Sequence, residues 1–123
     1  MEDRDLNIQQ IRPQIDFGEI HQPLDRFQEV LRQVLKFQND ILVQLSIHFL
    51  EKKYKSFATR DETIKKDLFY QSLKKDIPFK KELIGVLNGL FTKPEMDFYL
   101  ANRQEINKRL VEFIYKRLVA QIL

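Results

Sequence analysis

A stripe of side chains at alternating spacings of three and four residues most constrains how this chain can fold. It comprises eight positions: Leu24, Phe27, Leu31, Val34, Gln38, Ile41, Leu45 and His48. Steps of three and four place all eight on one face of an α-helix. Because neither proline nor glycine lies between Leu24 and Phe57, the spacing predicts one long helix over residues 23–55, with Pro23 in its first turn.

Two details of the stripe leave alternatives open. Asn39-Asp40 is a pair of weak helix formers where a turn could divide the helix, and apolar residues alternate from Ile41 to Phe49 as in a strand. The continued three-and-four spacing favours helix over strand. Gln38 either fixes the register of a helix pairing or lies half-solvated at the edge of the apolar face.

A helix of this length exceeds the size of a compact single copy of the chain. At 1.5 Å per residue, ~33 residues span about 50 Å. A compact domain of 123 residues has a diameter of roughly 35 Å. We therefore expect the far end of the helix to be covered by a second copy in a homodimer.

The remaining sequence also predicts helices. Thr59-Arg60-Asp61-Glu62 and Thr92-Lys93-Pro94-Glu95 have the pattern of capping boxes, and they begin predicted helices over residues 60–75 and 93–123. A third helix is predicted over residues 77–91, after a break at Asp76-Ile77-Pro78. Apolar residues before Pro23 show no sustained period. The expected fold is therefore an all-α, four-helix bundle-like domain over residues 23–123, with long first and last helices and an irregular or extended N-terminal arm, residues 1–22.

The composition agrees with a helical domain and bears on the cellular compartment in which we expect the protein. Only three glycines and four prolines occur, and there is no cysteine, which excludes disulfides and thiolate metal sites. The polar, acidic residues 1–5 do not resemble a signal peptide. The most apolar run, Ile41 to Leu50, contains Gln44, Ser46 and His48, so no membrane insertion is expected. We expect a cytoplasmic protein.

Little in the sequence points to catalysis. The two histidines are His21 and His48, and neither belongs to a recognisable nucleophile–base arrangement or phosphate-binding glycine loop. His48 and Glu51 have an i, i+3 spacing that can share a metal, but a metal site in a bundle needs ligands from several helices, and the later helices contain no histidine. His48 lies on the apolar stripe, which favours a buried or interface histidine over the centre of an enzymatic or ligand-binding bundle. We therefore expect a chain that is not an enzyme, with no catalytic, cofactor-binding or metal-binding residues and no cofactor.

Charge is unevenly distributed along the chain. Residues 1–50 carry a net charge of −3, residues 51–81 of +5 and residues 82–123 of +1. The middle segment is thus the sequence's candidate for binding an acidic partner. Its candidate patch is Lys65, Lys66, Lys74, Lys75, Lys80 and Lys81. These lysines form either a solvated surface or a nucleic-acid contact.

The leading functional hypothesis is a non-enzymatic helical protein–protein interaction module, an adaptor, assembly factor or regulator, acting as a homodimer with a further protein partner. The alternative is a nucleic-acid-binding regulator that uses the lysine-rich 52–81 segment. Apolar residues at the end of the first helix and at the C-terminus make up the candidate dimer interface: Ile41, Leu45, His48, Phe49, Leu118, Ile122 and Leu123.

Overall fold

The computed structural model describes residues 2–12 and 22–123, and every regular element within them is helical, which confirms the all-α class. The α-helices are α1 (Glu2–Ile11), α2 (Pro23–Phe37), α3 (Asn39–Lys53), α4 (Glu62–Lys75), α5 (Ile77–Asn88), α6 (Lys93–Ala101) and α7 (Arg103–Ile122). A short 3₁₀ helix, Phe57–Thr59, lies between α3 and α4.

One hydrophobic core joins α2 to α7 in a bundle-like arrangement, and α7 lies at its centre. This helix packs against α2, α3, α4, α5 and α6. Its inner face is the ladder that the sequence shows at every fourth position: Ile106, Leu110, Ile114, Leu118 and Ile122, all buried. Regular i, i+4 spacing makes this face continuous along the helix, so it can contact several neighbours at once.

The prediction of one helix over residues 23–55 is wrong, because the chain bends at Gln38 and divides it into α2 and α3. Gln38 has φ −93° and ψ 8°, in the sparsely populated bridge region. Its side-chain amide donates a hydrogen bond to the Val86 carbonyl of α5 at 3.3 Å. This tertiary contact and the weak helix formers Asn39 and Asp40 together account for the bend.

The bend removes the length argument for a second copy. The helices α2 and α3 have 15 residues each, so each is about 22 Å long and fits within a compact domain. The strand alternative for residues 41–49 is also excluded, because these residues lie within α3. Homodimerisation remains a prediction.

The long last helix is likewise divided, at Asn102, into α6 and α7. The Asn102 side-chain amide donates to the Phe98 carbonyl at 3.0 Å, and its backbone N–H is shared between the carbonyls of Phe98 and Tyr99. Asparagine side chains compete with the helical backbone in this way. The predicted capping box at the start of α6 is confirmed, because Thr92 and Glu95 exchange both of its hydrogen bonds.

The other predicted capping box, Thr59 to Glu62, is wrong. Thr59 ends the 3₁₀ helix, and its hydroxyl donates to the Ser56 carbonyl at 3.0 Å. Asp61 is the residue that precedes α4, with no side-chain cap. The helix α5 begins at Ile77 as predicted, and Asp76 caps it by accepting a hydrogen bond from the Phe79 backbone N–H at 3.0 Å.

The prediction of an irregular N-terminal arm is wrong for residues 2–11, which form α1; residues 13–21, including His21, lie outside the described part of the chain. Polar contacts fix α1 to the α5–α6 turn. Arg4 donates to the carbonyls of Phe91 and Gly89 at 2.9 and 3.0 Å, and Arg12, just after α1, is paired with Glu95. The spacing of apolar residues could not predict α1, because this helix is held in place mainly by arginine side chains and not by a regular apolar face.

Candidate interaction surfaces

The second half of the sequence stripe lies on the outer side of α3. The buried residues of α3 are Leu42, Ser46 and Leu50. Ile41 is 48% exposed and Phe37, four residues before it, is 46% exposed. Leu45 is half-buried and His48 is exposed. We call Ile41, Leu45 and His48 the α3 stripe; Phe37, also exposed, is the last residue of α2. The three stripe positions continue the spacing of α2 beyond Gln38, but they are not buried as their α2 counterparts Phe27, Leu31 and Val34 are.

The remaining predicted interface residues are placed differently. Leu118 and Ile122 are buried in the chain's own core, and Leu123 is 36% exposed. Phe49 is half-buried, and its ring stacks on that of Phe79 with centroids 3.9 Å apart. The structure therefore places Ile41, Leu45 and His48 along one side of α3, where Leu45 packs partly against the core. Leu118 and Ile122 lie within the core.

His48 occupies the exposed end of the α3 stripe, so it is not a core histidine of the single chain. Among the described residues, no three histidine, aspartate or glutamate side chains are arranged to hold a metal ion. His48 is therefore an exposed polar residue on the surface of α3.

The six lysines of the candidate patch do not share one face. Lys65 is 7% exposed; its ammonium lies 3.4 Å from the Leu123 carbonyl oxygen and 5.8 Å from the centre of the Phe57 ring. Lys74 lies nine residues further along α4, on the opposite side of the helix at 100° per residue. Lys66, Lys74, Lys75 and Lys81 are exposed, and Lys80 is half-exposed.

Two of these lysines meet at a surface pocket between α4, α5 and α7. This lysine pocket has a volume of about 460 Å³ and is lined by Lys74, Lys80, Gln104, Asn107, Lys108, Val111 and Glu112. The Glu112 carboxylate accepts a hydrogen bond from the Tyr70 hydroxyl, and this bond raises the pKa of Tyr70. One wall of the pocket is thus acidic, which reduces its positive potential.

Lys53 and Asp76 form an ion pair that links the end of α3 to the start of α5, with 2.8 Å between Nζ and Oδ2. The hydrogen bond to Asp76 raises the pKa of Lys53. The pKa of Asp76 is lowered by the same bond and by the Phe79 N–H. Lys53 is therefore engaged within the fold rather than free for an acidic partner.

A larger and more basic groove lies between α2 and α7. Its volume is about 670 Å³, and its lining residues are Arg32, Leu35, Lys36, Phe113, Lys116, Arg117 and Gln121. The half-buried Phe113 provides apolar surface, whereas Leu35 is only 2% exposed. The Arg32 guanidinium lies over the Phe113 ring, 5.8 Å from its centre. We call this surface the basic groove.

Only part of the positive charge in the basic groove is neutralised. Arg32 pairs with Glu29 at 2.7 Å. Arg117 donates to the neutral Asn39 side chain at 3.1 Å. Within residues 2–12 and 22–123, Lys36 and Lys116 have no carboxylate partner within 4.0 Å.

Sequence reasoning missed the basic groove because its cations come from segments 1–50 and 82–123, which have small or negative net charge. The available signals were Arg32 and Lys36 at i, i+4 and the adjacent Lys116 and Arg117. Neither pair is distinctive alone, and only the packing of α2 on α7 joins them.

Comparison with protein-family models, with curated proteins and with solved structures returns no significant match to this chain. A functional proposal therefore depends on the surfaces described above. In the described part of the chain, no helix combines the length and apolar character that crossing a membrane requires.

Proposed function

We propose that this chain is a non-enzymatic helical protein–protein interaction module, an adaptor, assembly factor or regulator, that pairs with a second copy through the α3 stripe. The observation that carries the proposal is the exposure of Ile41 on α3 and of Phe37 at the end of α2, while α3 buries another face. Leu45, half-buried, contacts the core with one side and borders this exposed surface with the other. Apolar side chains grouped on one exposed helix surface are typical of docking sites for another helix.

A second copy is the occupant that suits the stripe best, because the stripe can pair with itself. A two-fold interface brings the same patch of each subunit together. If two α3 helices pack antiparallel about Leu45, Ile41 of each copy lies beside His48 of the other. The two Leu45 side chains then contact each other, each Ile41 packs on the His48 ring of the other copy, and the polar end of His48 can remain solvated at the rim.

Light scattering of the full chain at micromolar concentration tests this pairing. We expect a mass of two chains, and Ile41→Glu should reduce it to one chain because a buried, unpaired carboxylate opposes association. Leu100→Glu is the matched control, since Leu100 is 54% exposed on α6, away from the stripe, and should leave the mass unchanged. A single-chain mass for the unsubstituted protein, or an Ile41→Glu variant that still pairs, would contradict the proposal.

The alternative, a nucleic-acid-binding regulator, is supported by the convergence of Lys74, Lys80 and Lys108 at the lysine pocket. If this function is correct, affinity for single-stranded or duplex oligonucleotides falls steeply with salt, because phosphate contacts release counterions. Replacing Lys74 and Lys80 together by Glu should abolish binding. Absence of binding at low ionic strength, or binding insensitive to salt, would exclude this function.

A further inference from the structure

The basic groove is a second surface, separate from the α3 stripe, and the pairing proposed above does not use it. Four cationic side chains, Arg32, Lys36, Lys116 and Arg117, surround one concavity. Near the end of α7, Asn39 and Gln121 exchange side-chain hydrogen bonds of 2.8 and 2.9 Å. These bonds fix the start of α3 against α7, so the groove is a preformed feature of the packing.

Charge identifies the kind of ligand that this groove attracts. Lys36 and Lys116 lie on different helices and face the same concavity. Like charges held close together repel each other, and an anion between them relieves this repulsion. Because neither lysine has a carboxylate partner among the described residues, an anionic ligand can pair with both without breaking an ion pair within the protein.

The apolar part of the groove distinguishes an acidic peptide from other anions. Phe113 and the aliphatic parts of Lys36 and Lys116 offer contacts to an aliphatic or aromatic side chain, which inorganic phosphate cannot use. Nucleic-acid sites usually supply free aromatic faces on which bases stack, and the Arg32 guanidinium over the Phe113 ring leaves less of this face free. An apolar peptide side chain can instead pack on the aliphatic parts of the lysine side chains and on the remaining Phe113 surface. The volume of about 670 Å³ is within the usual range of ligand pockets in proteins.

We propose that the basic groove binds an acidic peptide segment of a partner protein. Carboxylates of the peptide pair with Lys36 on α2 and Lys116 on α7, and an intervening apolar side chain packs on Phe113 and on the aliphatic parts of the two lysine side chains. Arg117 supplies further donors at the α3 end of the groove. The binding is electrostatic at its rim and apolar at its floor, as in other partly charged protein interfaces.

Fluorescence anisotropy with a labelled synthetic peptide of glutamates flanking one phenylalanine tests the proposal at low ionic strength. We expect binding that weakens with salt and that is lost when Gln replaces every Glu of the peptide. The double variant Lys36→Glu with Lys116→Glu should weaken binding by about tenfold or more, because carboxylates then face carboxylates. The matched control is Lys74→Glu with Lys108→Glu at the lysine pocket, which should leave affinity within about twofold.

A second double variant, Lys36→Gln with Lys116→Gln, removes the two charges without reversing them and serves if charge reversal disturbs folding. It should also weaken peptide binding, but by less. Absence of peptide binding at low salt, or equal losses in the groove and control variants, would overturn the proposal. So would groove-dependent binding of a single-stranded oligonucleotide that exceeds peptide binding. The oligomeric mass should be the same for both groove variants and the unsubstituted chain, so this result is independent of the α3 stripe.

Discussion

Two buried serines show how single polar groups affect the stability of this fold. Ser46 on α3 is fully buried, and its hydroxyl has no hydrogen-bond partner among the described residues. Ser72 on α4 is also buried, but its hydroxyl lies 3.1 Å from the Tyr54 hydroxyl, with which it is hydrogen-bonded. An unpaired buried hydroxyl costs free energy of folding, whereas a paired one does not.

Ser46→Ala should therefore raise the free energy of unfolding by about 1 kcal/mol, because it removes an unpaired hydroxyl and adds a better helix former. Thermal or urea denaturation of the full chain measures the change. Ser72→Ala is the matched control and should lower stability by about 1 kcal/mol, since it leaves the Tyr54 hydroxyl without its partner. A destabilised Ser46→Ala variant would show that this hydroxyl is hydrogen-bonded after all.

Residue-level patterns predicted some local features and missed others. The capping box of Thr92 and Glu95 was predictable because both bonds form within one turn. The similar pattern at Thr59 and Glu62 failed because a 3₁₀ helix occupies residues 57–59. The difference lies in the preceding backbone, where Ser56 has a left-handed φ of 57°, and no spacing rule specifies that conformation.

At the scale of elements, α1 shows that a helix can be positioned by arginines rather than by an apolar face. Ile8 is its buried apolar residue. Arg12 is 7% exposed; it donates to Glu95 Oε2 at 2.8 Å and to the Gln33 side chain at 2.7 Å. Glu95 also caps α6, so one carboxylate connects the start of α6 to the end of α1.

Arg12→Met should lower the free energy of unfolding by about 2–3 kcal/mol, because it leaves the partly buried Glu95 without its cation. Hydrogen exchange at α1 amides should accelerate more than exchange in α7, since α1 loses its attachment. Arg4→Met should cost less than about 1 kcal/mol, because Arg4 is an exposed residue. Equal effects of the two substitutions would show that Arg12 is not the main attachment.

Element boundaries were predictable where local signals alone determine them. The start of α2 at Pro23 and of α5 at Ile77 agree with the sequence because proline restricts both sites. The divisions at Gln38 and Asn102 were not predicted as helix ends. Gln38 bonds across to Val86 on α5, a contact that requires the assembled fold. The three-and-four spacing therefore predicted correctly that residues on both sides of Gln38 are helical. It predicted the buried face correctly for α2 but not for α3.

At the scale of the whole molecule, the α3 stripe and the basic groove differ in chemistry. The stripe presents the apolar side chains of Ile41 and Leu45 beside His48, whereas the groove between α2 and α7 is cationic and includes the half-buried Phe113. Sequence patterns pointed to Ile41, Leu45 and His48 because they continue the periodicity of α2. They could not identify the basic groove, because Lys36 and Lys116 are far apart in sequence and meet only when α2 packs on α7.

Site-specific cross-linking tests the central claim, pairing through the α3 stripe, most directly. The chain has no cysteine, so one introduced thiol reports one position. Under mild oxidation, Leu45→Cys should form a covalent dimer at micromolar concentration, because in the proposed pairing the two copies of this residue meet near the two-fold axis. Leu100→Cys should remain monomeric under denaturing, non-reducing electrophoresis. Equal cross-linking at both positions, or none at position 45, would contradict pairing through this stripe.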